Sequence, residues 1–130
     1  MHKIFISYSQ SDQEEARRLV AALRATDLVG WLDAADIAAG ASIPSAIRNA
    51  LLESSAIVVL LSPSALQSNW VQFEIGAAEA LGKKIIPVII SGSLAESGLP
   101  AILKDRKVID ARNRPKTVVA EEINIASKSS

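Results

Sequence analysis

The chain has no cysteine and a single histidine, His2, beside the first methionine. Disulfides and thiol catalysis are excluded, a reducing compartment is permitted, and neither a histidine-based triad nor a histidine-containing metal site is expected. Aromatic residues are scarce at 4% against 49% hydrophobic, so Ile, Val, Leu and Ala must build the core. Neither charge sign is in excess: 14 bases balance 14 acids without a basic block. That balance argues against nucleic acid or an anionic membrane surface as the main partner. No apolar run approaches the ~20 residues of a membrane span, and Met1-His2-Lys3-Ile4 does not open a signal peptide. The expectation is one soluble cytoplasmic domain, since 130 residues suffice for an independent core.

What the chain does have is an alternation of apolar runs and helical patterns, the signature of βαβ units. Lys3–Ser7, Val29–Leu32, Ala56–Leu61, Ile85–Ile90 and Lys107–Asp110 read as strands. Between them, Ser11-Asp12-Gln13-Glu14 has the form of a capping box, followed by Ala16, Leu19, Val20 and Leu23 at helical spacing. A second helix is expected from Ser42-Ile43-Pro44, with Ile43, Ile47, Ala50 and Leu51 as its apolar stripe. A last helix is expected over Pro115–Ala126, with 127–130 a frayed tail or the start of a linker. The domain is thus read as 1–126. Five such units predict a flavodoxin-like three-layer sandwich: a five-stranded parallel sheet of order 2-1-3-4-5 with helices on both faces.

The switch point of that order lies between strands one and three. The adjoining loops are Ser7-Tyr8-Ser9-Gln10 and Ser62-Pro63-Ser64. Just beyond the second, a crossover helix opens at Ser68 or Asn69 and closes at Gly82, carrying Trp70 and Glu74 one turn apart on one face. A glutamate on such a helix is ordinarily solvated, and a tryptophan ordinarily packs. Their coincidence with the switch point makes a carboxylate with an aromatic plate beside it, suited to sugar or nucleotide chemistry. Gly76-Ala77-Ala78 is expected to bring the helix close to the sheet.

Several segments together resemble Toll/interleukin-1 receptor (TIR) domains, most closely the bacterial, NAD-cleaving type. Phe5-Ile6-Ser7-Tyr8-Ser9 with Asp12 looks like their first box, and Trp31-Leu32-Asp33 with Ile37 and Gly40 like their second strand and BB loop. Leu60–Leu66 leading into Trp70-x-x-x-Glu74 resembles the segment bearing the catalytic glutamate, and Lys84–Val88 their fourth strand. The resemblance implies NAD+ cleavage to nicotinamide and ADP-ribose or a cyclic form, with NAD+ as substrate and no cofactor. It implies a role in bacterial defence or virulence, self-association into dimers or filaments through Asp36, Ile37 and Gly40, and a possible sensor domain beyond Ser130. Glu74 is the implied catalytic residue. Trp70, Tyr8, Ser9, Asp33 and Ser42 are the implied substrate contacts, although Tyr8 and Ser9 equally suit a strand-end turn, Asp33 a strand terminator and Ser42 a helix cap. Trp31 reads as core or strand-edge packing.

The chemistry is consistent with a single carboxylate. Nicotinamide leaves a pyridinium as a neutral base, so no general acid has to protonate it, unlike the leaving groups of ordinary glycosidases. A non-catalytic homotypic scaffold is the alternative, and a nucleoside deoxyribosyltransferase-like enzyme is a third reading. Nicotinamide release separates the first two, and nucleobase exchange marks the third.

Overall fold

The computed structural model describes residues 2–32, 43–92, 99 and 101–129. Its elements in chain order are β1 (His2–Ser7), a 3-10 turn (Gln10–Asp12), α1 (Gln13–Leu23), β2 (Leu28–Leu32), α2 (Ile43–Glu53), β3 (Ala56–Leu61), α3 (Pro63–Leu66), α4 (Asn69–Ala80), β4 (Lys84–Ile89), a second 3-10 turn (Ala101–Leu103), β5 (Ile109–Asp110) and α5 (Lys116–Lys128). The strands form one all-parallel sheet in the order β2-β1-β3-β4-β5, the expected flavodoxin-like arrangement. Chain direction across the sheet reverses between β1 and β3, which pair from Ile4↔Ala56 to Ser7↔Val59.

A parallel sheet covered on both faces needs strands that are apolar throughout, and all six residues of β3 are buried. Alternation along the strands makes two cores. On one face Ile4, Ile6, Val58 and Leu60 meet Ala16 and Leu19 of α1 and Val119 and Ile123 of α5. On the other, Phe5, Ile57, Val59 and Leu61 meet Ile47 and Leu51 of α2 and Val71, Ile75 and Ala78 of α4. Trp31 stacks on Phe5 at 5.0 Å between ring centroids, in keeping with a packing role. Gly30 lets β2 lie against α1, since a Cβ there would sit 2.7 Å from Cγ2 of Val20.

Three local expectations change. The capping box does not form: α1 starts at Gln13, and Asp12 at its N-cap makes no side-chain cap hydrogen bond. The last helix runs to Lys128 rather than ending at Ala126, because the Lys128 ammonium reaches both carboxylate oxygens of Asp27 at 2.6 and 2.7 Å. Gly76 does not serve close packing. It is exposed, with open space where a Cβ would stand, and Ala78 makes the buried approach instead. Among the described residues no helix is long and apolar enough to cross a membrane.

Candidate functional site

Buried polar side chains are few among the described residues: Ser7, Ser9, Ser54, Ser62 and Glu74. Of these, Ser54 serves the end of α2, its hydroxyl donating to the Ala50 carbonyl. The other four gather at the carboxyl ends of β1 and β3, the two sides of the switch point, where open parallel sheets bind ligands.

Glu74 comes to this place through the start of α4. Ser68 caps the helix by accepting from the Val71 amide at 3.2 Å, and Val71, Ile75 and Ala78 fix the buried face. Glu74 shares that face and is 0% exposed, which overturns the expectation of a solvated helix residue. Removing an ionised carboxylate from water is costly unless donors replace the water. The Ser7 hydroxyl, at the tip of β1 and equally buried, donates to Glu74 Oε1 at 2.6 Å. A hydrogen bond to a buried acceptor contributes about 0.5–1.5 kcal/mol net, and losing it leaves the acceptor unsatisfied at a cost of about 1–3 kcal/mol.

A second carboxylate sits at the same strand tips. Asp12 Oδ2 accepts from the Ser9 hydroxyl at 2.9 Å and from the Ser62 hydroxyl at 2.5 Å. Ser62 in turn accepts from the Ala65 amide at 3.0 Å and so caps α3, with Pro63 at its first position. Asp12 therefore joins the loop after β1 to the tip of β3. Beyond Ser62, the turn after β4 closes on Pro63: a Cβ on Gly92, whose φ is +82°, would fall 2.9 Å from the proline ring. Arg112 fixes that turn from the β5 side, donating to the Gly92 carbonyl at 2.8 Å while gripping Asp110 through Nε and Nη2, both at 2.9 Å. These hydrogen bonds hold the Asp110 carboxyl down at about 2.

Of the expected site residues, the fold brings together Glu74 and Ser9 around the tips of β1 and β3. Trp70 is half-buried one turn before Glu74, tilted against Phe73 with ring centroids 5.9 Å apart and packed on the α2/α4 core. Tyr8 is 3% exposed and belongs to the core on the α1/α5 face, not to the face that holds Glu74. Asp33, Ser42 and the loop positions Asp36, Ile37 and Gly40 lie outside the described residues. The sequence reading left out Ser7, Ser62 and Asp12 as site residues. Ser62 had a usable signal, a Ser-Pro pair at a helix start, but the partner of Ser7 is 67 positions away and one of the two partners of Asp12 is 50 away.

A cavity of about 780 Å³ lies elsewhere, along the outer edge of β4 and β5 against α5, lined by Lys84, Ile86, Arg106, Asp110 and Ile125 among others. Three of its cations are already engaged: Arg106 with Glu79, Arg114 with Glu122 and Lys84 with the Ala126 carbonyl. We place the candidate site at Glu74 instead, because among the described residues buried carboxylate and hydroxyl groups are concentrated there. Among the described residues no group of three or more His, Cys, Asp or Glu is placed to hold a metal ion.

Comparison with known proteins identifies the family and the fold. The family model described as the TIR domain matches residues 4–123. The 2' cyclic ADP-D-ribose synthase BtTIR of Bacteroides thetaiotaomicron is 30% identical over 89 residues, 65% of this chain and 31% of the relative. The chain thus spans about a third of that relative's length. Among solved structures, the TIR domain of the Toll-related receptor TRR-2 from Hydra magnipapillata superposes with a TM-score of 0.80 at 18% identity, covering 99% of this chain and 100% of that one. A metazoan TIR-STING receptor from C. gigas, in complex with 2',3'-cGAMP, follows at 0.77 and 22%, covering 97% of this chain and 39% of that one.

Proposed function

The chain belongs to the TIR domain family, and from that premise we propose that it cleaves the nicotinamide–ribose bond of NAD+. The products are nicotinamide and ADP-ribose or a cyclic form of it. The observation that carries this reading is Glu74, a carboxylate held by the buried Ser7 hydroxyl at the switch point. The likeness to a bacterial cyclic ADP-ribose synthase supports it at the level of the family.

In this mechanism the C1'–N bond breaks with its electron pair going to nicotinamide, which leaves neutral. Glu74 stabilises the oxocarbenium character that develops on the ribose, or holds the ribose hydroxyls as it develops. Water then adds with loss of a proton to give ADP-ribose, or a hydroxyl or ring nitrogen of the ADP-ribosyl group adds instead to give the cyclic product. Trp70 supplies an aromatic face to the nicotinamide or adenine ring. NAD+ is the substrate and no cofactor takes part.

Full burial of Glu74 in a single chain supports a second element of the proposal. A carboxylate with no exposed surface meets its substrate only after a neighbouring segment moves or a second copy docks. Self-association through the segment carrying Asp36, Ile37 and Gly40 would provide that opening, as expected for a signal-producing effector in bacterial defence or virulence.

The test is nicotinamide release by the wild type and by Glu74→Gln, measured across a wide range of protein concentrations. The expected result is wild-type release with a per-molecule rate that rises with concentration, and none from a folded Glu74→Gln. A folded Glu74→Gln that releases nicotinamide at the wild-type rate would refute the mechanism. A wild type that self-associates without releasing nicotinamide would point to the scaffold reading.

A further inference from the structure

Among the described residues, Asp12 is a carboxylate at the switch point to which the proposed reaction gives no task. Its single oxygen Oδ2 accepts two hydroxyl protons, one from each side of the crevice: Ser9 on the β1 loop and Ser62 at the tip of β3. Both serines are more than nine-tenths buried, so these bonds are shielded from competing water. The Asp12 amide also donates to the Ser9 carbonyl at 2.9 Å, which closes the turn and holds the carboxylate at this spot.

Followed through the chain, these contacts make a ring. Glu74 accepts from Ser7, Ser7 is two residues from Ser9, and Ser9 donates to Asp12. Asp12 accepts from Ser62, Ser62 caps α3, and α3 leads through the Ser68 cap into α4, which carries Glu74. The position of Glu74 relative to the crevice is therefore fixed along two routes, and Asp12 is the closure that makes them agree. The β1–β3 ladder pairs Ser7 with Val59, and beyond that last pair Asp12 is what ties the loop after β1 to the start of α3, so its loss loosens Ser7 and Glu74 relative to each other at the strand tips.

We infer that Asp12 is a positioning residue of the NAD-cleaving site, acting through Ser9 and Ser62 to set the place of Glu74. The inference rests on the proposed cleavage and adds the residue that aligns its carboxylate. It separates two properties of Asp12, its charge and its acceptor geometry. Asparagine has the same shape, and its amide oxygen can accept the same two hydroxyl protons. Alanine cannot. A misplacement of about 1 Å in a catalytic group can reduce turnover about 100-fold.

The experiment measures kcat and KM for NAD+ in the wild type, Asp12→Ala and Asp12→Asn, normalised to the folded fraction from a thermal melt. The expected result is a kcat about 10- to 100-fold lower in Asp12→Ala, with KM within about threefold, and recovery of kcat to within about threefold in Asp12→Asn. If Asp12→Ala does not fold, Ser9→Ala opens the same ring on the β1 side and keeps the Ser62–Asp12 bond. Its kcat is expected to fall in the same direction. A kcat per folded molecule unchanged in the alanine variant that can be measured would overturn the inference. Asp12→Asn as impaired as Asp12→Ala would overturn it too, because charge rather than alignment would then be the working property. A wild type that releases no nicotinamide overturns the underlying cleavage reading and this inference with it, whereas an active wild type with indifferent Asp12 variants overturns only this one.

Discussion

Ser7→Ala isolates the contact on which the candidate site depends. The hydroxyl donates to Glu74 Oε1 at 2.6 Å, and both residues are 0% exposed. Alanine fits the strand backbone and adds no bulk, so the change deletes one donor and leaves a gap of one oxygen atom. A buried acceptor that loses its donor costs about 1–3 kcal/mol. For a domain of this length each kcal/mol moves the melting temperature by about 3–5 °C, so the expected fall is about 3–15 °C. Activity should suffer more than stability. A carboxylate no longer held at one oxygen can swing, and a misplaced group loses about 100-fold in kcat, equivalent to about 2.7 kcal/mol of barrier. KM should stay within about threefold, because Ser7 lies beneath the carboxylate and is not expected to touch the substrate. The assay is nicotinamide release over a range of NAD+ concentrations, with the folded fraction fixed by a parallel melt. A melting temperature that falls while kcat per folded molecule is unchanged would show the bond to be structural only. A melting temperature that rises would refute the premise that the bond stabilises the buried carboxylate.

Two further predictions concern the scaffold. Gly76→Ala should stabilise by about 0.5–1 kcal/mol, because the position is an exposed helix interior with free space for a methyl group, whereas Gly92→Ala should destabilise by about 1–3 kcal/mol through its positive φ and the Pro63 ring; chemical denaturation of both variants checks the opposite signs. Arg112 donates to Asp110 and holds its carboxyl down at about 2, against about 3.9 in an unfolded chain. The folded value is the lower one, so this contribution is complete above about pH 4 and is lost as pH falls through about 2. Arg112→Ala should therefore lower stability at pH 7 and reduce the loss on acidification, and urea midpoints at pH 7, 4 and 2 that fall in parallel for both proteins would contradict it.

The layers of the fold were legible because apolar runs such as Ala56–Leu61 and Ile85–Ile90 have few alternatives to buried parallel strands. The order of the sheet followed from the number of βαβ units, and the start of α4 from Ser68. What escaped was tertiary in origin. A glutamate contributes the same polar character to a helical pattern whether it meets water or the Ser7 hydroxyl 67 positions away, so Glu74 read as surface. Asp12 looked like part of a local capping box, but its carboxylate is engaged by Ser9 and by Ser62, 50 positions distant. Gly76 looked like a close-packing residue because smallness alone does not say which side of a helix faces the sheet; Ile75 and Ala78 face inward and Gly76 outward. Tyr8 stands beside Ser7 and Ser9 in the chain but packs on the opposite face, where local sequence cannot distinguish a cleft lining from a core residue.

Asp27 is where the two ends of the described chain meet. Its carbonyl accepts from the His2 amide at 3.1 Å and its carboxylate receives the Lys128 ammonium. Every strand runs the same way, so this corner is the pole where strands begin, and the Ser7–Glu74 contact is at the pole where they end. Cargo tethered at either end would therefore hang from the side remote from the crevice. A reporter, a surface anchor or another domain could be attached at the front or the back of the chain and, with a flexible tether, leave the strand-tip pole uncovered. The same arrangement lets many copies be arrayed on a common support with their crevices turned outward.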